Sequence, residues 1–425
     1  MLRNLRGRLG NQETTISMTN SSASITSDAA GAGTAVAAGQ RRATVVAVVA
    51  GNLLLSLGYQ LWRSLFSNFA VQELGVRADQ MGVIQAIREI PGLLGFSAGL
   101  LALVLAEMRI AGFSIVLLGA GIALTGRAGN LPGLIASTLV MSVGFHFFMP
   151  CSSSAVLQAV GEEEAPRMLG RLSSQAALAA LVAAGIVILG LDALGFRTLF
   201  YAMGALLIVG GLATLPWARR SVCSPRARRR TPIRRQYWLY YLLEFLMGSR
   251  RHIFTTFAIF LLVQEHRVTA QTITVLFVIN NLIGTFLYQQ FGQIIARFGE
   301  RRVLTVNFIL LIFVFLGYAY VPLLPILYGL FVADHVLFGF RISLQSYLQK
   351  IAVHPQEITP TLSLGQTINH IAAVIIPVVG GVVWEAIGSE YTFLVGVGIA
   401  ATSLVAVQRM QAERRVLPGL AAAGE

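Results

Sequence analysis

The sequence places ionisable side chains inside stretches that are otherwise apolar. Arg88 and Glu89 lie side by side in "AIREIPG", and Arg250 and Arg251 follow Glu244 in "EFLMGSRR". If such stretches cross a bilayer, a charge near the centre costs on the order of 2.5–3.5 kcal/mol, and its side chain usually faces a cavity or a partner. These residues are therefore the first candidates for solute binding, proton transfer or ion pairing.

The arginines in these stretches outnumber the acids, which favours an anionic or zwitterionic small-molecule substrate. Arginine binds a carboxylate or a phosphate through two parallel hydrogen bonds from its planar guanidinium group. A pump for lipophilic cations would more naturally carry isolated acids among aromatic side chains. The candidate substrate-binding residues are Arg251, Arg88, Arg341, Arg250, Asn280, Asn281, Tyr59 and His146.

The acids and one histidine in the same stretches are candidates for proton coupling. An imidazole titrates near neutral pH, and buried acids in membrane proteins often relay protons, although structural hydrogen bonding is an alternative role. The histidines inside the apolar stretches show neither HxxxH nor HxxE spacing, so the sequence predicts no metal site and no cofactor. The proton-coupling candidates are Glu89, Asp334, Glu244 and His335.

Helical geometry gives two local expectations about partners. Neighbouring residues on a helix point about 100° apart, so Arg88 and Glu89 should reach toward other helices or water rather than toward each other. Pro91 supplies no donor to the carbonyl of Ile87, which predicts a kink beside the two charges. Arg251 shares a face with Glu244, so it could hold a fixed ion pair or clamp an anion, and we favour the clamp.

The composition indicates which elements position these side chains. The chain has 425 residues, of which 55% are hydrophobic and only 12% charged, and its mean hydropathy is +0.70. Soluble domains carry roughly a quarter charged residues, so a water-soluble protein is excluded. About 20 apolar residues span a bilayer as a helix. Twelve such segments are predicted: 43–70, 79–105, 110–126, 131–158, 172–194, 197–217, 237–264, 269–296, 303–320, 322–349, 361–386 and 390–409.

The basic residues predict an orientation. With both termini cytoplasmic, only Arg77, Arg127, Arg197 and Arg267 fall in external loops, as the positive-inside rule requires. The basic stretch between the halves then lies beside lipid head groups, so we expect no nucleic-acid partner. We expect a monomer in the inner cell membrane. The predicted regions are a disordered tail (1–42), a first bundle (43–217), a linker (218–236), a second bundle (237–410) and a C-terminal tail (411–425).

The two halves contain an internal repeat. "VQELGVRADQMGVIQAI" (71–87) aligns without a gap with "VQEHRVTAQTITVLFVI" (263–279). At the same offset, Arg88 and Glu89 correspond to Asn280 and Asn281. Parallel six-helix repeats around a central site are typical of two-bundle carriers. The predicted fold is therefore an all-α polytopic membrane protein with 12 transmembrane helices in two pseudo-symmetric six-helix bundles.

The loop after the eighth segment carries a motif. "GQIIARFGERR" (292–302) resembles the repeated loop signature of the major facilitator superfamily, although Ala296 stands where the family has an acid. The first-half copy, "GLLALVLAEMR" (99–109), keeps little of the signature. The resemblance implies two bundles that rock about a central cavity lined by the first, fourth, seventh and tenth helices. The gating residues that it implies are Gly292, Arg297, Gly299, Arg301, Arg302 and Arg109.

Other classes of function fit less well. The sequence has no GxxxxGK phosphate-binding loop and no GxSxG elbow, so we predict that it is not an enzyme. The predicted function is secondary active transport by alternating access, with proton coupling as one way to drive it. The alternatives are efflux of drugs or metabolites, and a transporter-like sensor or assembly protein that no longer transports, which the incomplete first-half motif allows.

Overall fold

A computed structural model describes residues 39–95, 97, 101–102, 104–218, 233–354 and 357–410. All of the regular structure in these ranges is helical. Most of the predicted N-terminal tail, most of the linker and all of the C-terminal tail lie outside them. In the described ranges, ten helices are long and apolar enough to cross a membrane.

The helices follow the predicted segments closely. In the first half they are α1 (Gly39–Glu73), α2 (Ala78–Leu93), α3 (Glu107–Arg127) and α4 (Leu131–Val156), followed by the stretch Arg167–Trp217. In the second half they are α7 (Arg235–Gln264), α8 (Ala270–Phe298), α9 (Glu300–Tyr320), α10 (Leu324–Ile351), α11 (Ile358–Ile387) and α12 (Ser389–Val407).

The stretch Arg167–Trp217 contains two helices rather than one. Helical hydrogen bonding runs on through Leu131–Ala218, but Gly195 has φ of 72°, a left-handed conformation that glycine adopts without strain. The chain reverses there, and Arg197 then donates to the carbonyl of Gly126 at 2.9 Å. We number the two helices α5 (167–194) and α6 (196–217). The reversal lies at the predicted boundary, which gives twelve helices in the described residues.

Two predicted boundaries are wrong. The first helix includes residues 39–42, which were assigned to the disordered tail, because Gln40 and Arg41 continue the helix and Thr44 bonds back to the Gln40 carbonyl at 3.0 Å. The second helix ends at Leu93 instead of reaching residue 105. Pro91 and the glycines after it weaken the helix at that point, since they lack a donor or a side chain.

Glycines allow the helices of the first half to pack backbone to backbone. A Cβ atom added to Gly121 on α3 would lie 2.2 Å from the Met141 nitrogen on α4. One added to Gly204 on α6 would lie 2.7 Å from the carbonyl of Gly119 on α3. Small residues at such crossings are typical of helices that pack in a bilayer.

The two halves contact each other closely at one end, which we call the sealed end. Asn68 donates to the Val268 carbonyl at 2.8 Å, and Gln271 donates to Asp192 at 2.7 Å. The backbone of Ala78 at the start of α2 donates to Glu385 near the end of α11 at 2.9 Å. The sealed end therefore carries the α1–α2, α7–α8 and α11–α12 connections.

A buried carboxylate at the opposite end fixes the start of α11. Arg234 donates to both oxygens of Glu357, at 2.6 and 2.9 Å, and the Tyr237 hydroxyl donates to it at 2.7 Å. The hydrogen bonds from Arg234 are the main reason that the pKa of Glu357 lies below its ordinary value of 4.5. This contact joins the residues before α7 to α11.

The Glu357 contact predicts a pH-dependent stability. Because the folded-state pKa is lower than the unfolded one, the stabilisation is complete above the unfolded pKa and is lost as the pH falls through the folded pKa. We expect the difference in melting temperature between the wild type and Glu357→Gln to stay constant above about pH 5 and to shrink below it. Thermal unfolding of both proteins across this range measures it. A difference that persists unchanged at about pH 3 would contradict the assignment.

Candidate functional site: a cavity between the two halves

A cavity of about 760 Å³ lies between the two halves. Its wall is formed by α1, α2 and α4 from the first half and by α7 and α11 from the second. A further space of about 610 Å³ continues between α1, α4, α5, α8 and α10. Tyr59, Phe145 and Met149 line both spaces, so we treat them as one inter-half cavity.

The cavity opens away from the sealed end. Near the sealed end its wall contains Phe66 and Ile259, which are buried. Toward the opposite end its wall contains Met149, which is 47% exposed, and the exposed Gln366. In the described residues the cavity is therefore open at the end opposite the sealed end.

Arg88 and Glu89 both line this cavity, but they also pair with each other. Arg88 Nη2 lies 2.8 Å from Glu89 Oε1. The expectation that they point to separate partners is wrong, because a long guanidinium side chain can fold across the 100° between neighbouring positions. Helix α2 continues through Pro91, and the Ser142 hydroxyl donates to the carbonyl of Arg88.

Glu89 also reaches across to the second half. Its Oε2 lies 3.1 Å from Nδ1 of His370 on α11 and 3.9 Å from Nε2 of His146 on α4. The three donor atoms lie within 4.8 Å of one another. The sequence predicted no metal site because the histidines inside its apolar segments lack local ligand spacing, yet three separate helices bring these donors together.

Two other predicted site arginines are held by acids inside the second half. Arg250 is fully buried and lies 2.5 Å from Asp334 on α10. Arg341 lies 2.9 Å from Glu244 on α7. The suggested ion pair between Arg251 and Glu244 is therefore absent, because Arg341 occupies that carboxylate.

Arg251 and Arg63 line the cavity without an acidic partner among the described residues. The Arg251 guanidinium lies over the ring of Phe338, 4.8 Å from its centroid. The Arg63 guanidinium lies over Phe277 at 4.2 Å. Aromatic faces hold a cation in place without neutralising it. Both arginines remain available to an anion that enters the cavity.

Further polar groups lie on the cavity wall. His252 Nε2 and Asn369 Nδ2 are buried there without a hydrogen-bond partner among the residues that the structure describes. Asn280, Asn281 and His335 line the continuing space, so the paired positions of the repeat both lie on the cavity wall. Asn369 and His370 were visible in the sequence but were not selected, because only the packing of α11 against α2 turns them inward.

The loop motif between α8 and α9 also contains an acid, Glu300, that was not among the predicted gating residues. Gly299 has φ of 79° and connects the two helices. The next residue, Glu300, accepts from Ser346 and from Lys350 on α10, both at 2.6 Å. In the first half, Glu107 at the start of α3 accepts from Ser154 on α4 at 2.7 Å. The acids that begin α3 and α9 therefore make equivalent contacts in the two halves.

The remaining motif residues lie around this loop. Arg301 donates to Gln408 at 3.2 Å, which ties α9 to the end of α12. Arg297 lies over the ring of Phe298, and Arg109 is exposed at the start of α3. Gly292 lies in α8 and Arg302 lines a separate surface cavity beside the loop. None of these side chains enters the inter-half cavity.

The sequence profile of the Major Facilitator Superfamily matches residues 48–359. The chain belongs to this superfamily. It is a multi-pass membrane protein of a transporter family, with the predicted fold, and its apolar helices are transmembrane helices. A search of curated protein sequences found no significant match.

Solved structures of major facilitator transporters have the same fold. The nucleoside transporter NupG superposes with a TM-score of 0.70 at 15% identity, covering 86% of this chain and 98% of its own. A bacterial homologue of the human lysosomal transporter Spinster, in an inward-facing state, gives 0.68 at 13% identity, with coverages of 87% and 98%. A bacterial homologue of the iron transporter ferroportin, also inward-facing, gives 0.67 at 15% identity, with coverages of 86% and 98%.

Proposed function

We propose that this protein is a secondary active transporter that moves a small anionic or zwitterionic solute across the inner cell membrane by alternating access. The proposal is carried by the position of Arg251 on the cavity wall and by its lack of an acidic partner in the described structure. By contrast, Arg88, Arg250 and Arg341 are all paired.

The distribution of charge supports an anionic solute. Arg251 and Arg63 approach the cavity from α7 and α1, so they present positive charge from both halves. In a partly desolvated cavity an unpaired guanidinium is costly, and an entering carboxylate or phosphate would supply the missing partner. The neighbouring structures carry different solutes by name, so they support the fold and not a particular substrate.

The sealed end indicates which side of the membrane the cavity faces in this conformation. With the termini in the cytoplasm, the α1–α2 and α7–α8 connections are external, and the cavity opens inward. Rocking of the halves would then separate α2 from α11 at the sealed end and bring the opposite ends together. The solute would be exchanged between the two sides without a continuous pore.

Proton coupling is best supported at Glu89. Asp334 and Glu244 are each engaged by an arginine within the second half, so rocking of the halves does not by itself change their partners. Glu89 contacts His370 from the other half, so its surroundings change when the halves move. A carboxylate whose contacts differ between two states can couple protonation to the transport cycle.

Arg251→Gln tests the proposed solute site. We expect the variant to fold normally and to bind the solute about 10- to 150-fold more weakly, because a hydrogen bond to a charged group contributes about 1.5–3 kcal/mol. Thermal-shift titration of the purified protein with small carboxylates, sugar phosphates and lipophilic cations identifies the ligand, and its dissociation constant is then compared between variants.

Arg127→Gln is the matched control, since Arg127 is an exposed arginine at the end of α3, far from the cavity wall. It should bind like the wild type. Unchanged affinity in a well-folded Arg251→Gln protein would remove this residue from the site. Stabilisation by lipophilic cations alone would favour the efflux function instead.

A further inference from the structure

We propose that Glu89, His146 and His370 form a binding site for a divalent transition-metal ion that bridges the two halves. Two imidazoles and one carboxylate are a ligand set that suits zinc and other first-row divalent ions. The donors come from α2, α4 and α11, so the ion would join the first bundle to the second. The inference rests on this geometry and does not depend on the solute being an anion.

Hydrogen bonds around His146 determine which of its nitrogens is protonated. The Ser142 hydroxyl donates to the carbonyl of Arg88, so its oxygen accepts from Nδ1 of His146 at 3.0 Å. The carbonyl of Ser142 accepts from the same nitrogen at 3.0 Å. Nδ1 therefore carries the proton, and in the neutral ring Nε2 has a free lone pair. Metal-binding histidines typically donate their other N–H to a backbone carbonyl in this way.

This tautomer leaves two electron-rich atoms facing each other. Nε2 of His146 lies 3.9 Å from Glu89 Oε2, which is too long for a direct hydrogen bond. Oε2 also lies 3.1 Å from Nδ1 of His370. Ligand atoms about 2.0–2.1 Å from a tetrahedral zinc ion are about 3.4 Å apart. The two distances to Oε2 lie within about half an ångström of this value, and all three donor atoms lie within 4.8 Å of one another, so rotations of the side chains would bring them to ligand spacing.

The surrounding side chains position the carboxylate without occupying the donor atoms of the site. Arg88 engages the other oxygen of Glu89, at 2.8 Å, so Oε2 faces the two imidazoles of the cluster. Nδ1 of His370 donates to Oε2 in this structure, and an ion would replace that hydrogen bond, with the His370 proton moving to Nε2. His252 on α7 is 6% exposed and lines the same cavity, and its Nε2 has no hydrogen-bond partner within the described part of the chain. The charged and titratable groups that face the site are thus Arg88 on α2 and His252 on α7, with Arg251 further along the cavity wall.

A bridging ion has a consequence for the transport cycle. His370 lies on α11, which packs against α2 toward the sealed end. Separation of these helices would remove His370 from Glu89. A bound ion would therefore hold the sealed end closed, and in transport it would act as an inhibitor that traps the inward-open state.

Calorimetric titration of the purified protein with Zn²⁺, and with Co²⁺ followed by its visible absorption, tests the site. We expect one ion per chain and a dissociation constant that rises more than about tenfold in His146→Gln and in His370→Gln. His266→Gln is the control, since His266 lies in the α7–α8 connection and outside the cluster. Each variant is compared with the wild type in melting temperature without metal, so that a folding defect is separated from a lost ligand.

Equal affinity in the wild type and in both folded variants would overturn the site, as would an absence of stoichiometric binding by the wild type. Arg251→Gln separates this inference from the proposed function. The metal site is expected to remain in that variant while solute binding weakens about 10- to 150-fold. If instead the wild type binds metal and no anion, the proposed solute fails and the metal site stands.

Discussion

Arg250→Gln is expected to destabilise the protein by about 3–5 kcal/mol. Arg250 is fully buried, and the carboxylate of Asp334 is 6% exposed. Removal of the arginine leaves an acid in the interior of the second half without a countercharge, and such a charge is far more costly than the loss of the pair itself. The melting temperature of the purified protein measures the effect.

A double variant tests whether the loss of stability comes from the unpaired charge of Asp334. Replacing both residues with apolar side chains, as in Arg250→Met with Asp334→Leu, should recover most of the lost stability, because buried pairs can often be exchanged for packed hydrophobic residues. Asp79→Asn is the surface control. Its partner Arg77 is 57% exposed, so that pair should contribute no more than about 1 kcal/mol.

The same experiment decides between two roles for Arg250. The sequence proposed it as a substrate contact, whereas the structure buries it with Asp334 and outside the cavity wall. A stable Arg250→Gln protein that no longer binds the solute would return it to the site. We expect the opposite result, with reduced stability and unchanged affinity in the folded fraction.

Gly82→Val is expected to prevent closure of the sealed end. A Cβ atom on Gly82 would lie 2.1 Å from the carbonyl oxygen of Pro377, and one on Gly381 would lie 2.5 Å from the carbonyl of Ala78. Both neighbours are backbone atoms that cannot rotate away. Overpacking of this kind costs about 1–3 kcal/mol, which shifts the equilibrium away from the sealed state about 5- to 150-fold.

Cysteine reactivity measures this shift. Val268 is 5% exposed at the sealed end, so Val268→Cys in a background that carries Cys151→Ser and Cys223→Ser should react slowly with a maleimide. Adding Gly82→Val should accelerate the reaction and reduce transport by about fivefold or more. Gly398→Val is the matched control, because nothing lies within 4 Å of its added Cβ. Equal reactivity in Gly82→Val and the control would refute the close α2–α11 contact as a gate.

The sequence was sufficient for the helices because their determinants are local. Each backbone hydrogen bond of a membrane helix closes within its own segment, so a run of apolar residues and its interruptions define the element. The "YVPLLP" interruption between α9 and α10 and the reversal before Arg197 were both placed correctly. The end of α2 was misplaced, because the apolar composition continues to residue 105 whereas the helix ends at Leu93.

The sequence also identified the residues that line the cavity more reliably than it identified their partners. Helical periodicity indicated which side chains share a face. The internal repeat aligned Arg88 and Glu89 with Asn280 and Asn281, and all four residues line the cavity. Periodicity carries no information about which helix lies opposite. The expectation that Arg88 and Glu89 would not pair was also wrong, because it did not take the length of the arginine side chain into account.

Only the tertiary structure decided which charges are neutralised and which remain available. Asp334 lies 84 residues from Arg250, and His370 lies 281 residues from Glu89. Their contacts exist because the second half packs α7 against α10 and because the two halves meet along α2 and α11. The sequence determined a set of transmembrane helices with an excess of arginine in their interior. The packing left Arg251 and Arg63 without an acidic partner among the described residues and brought Glu89, His146 and His370 together. Electrostatic pairing acts across space, so it leaves no spacing pattern in the chain.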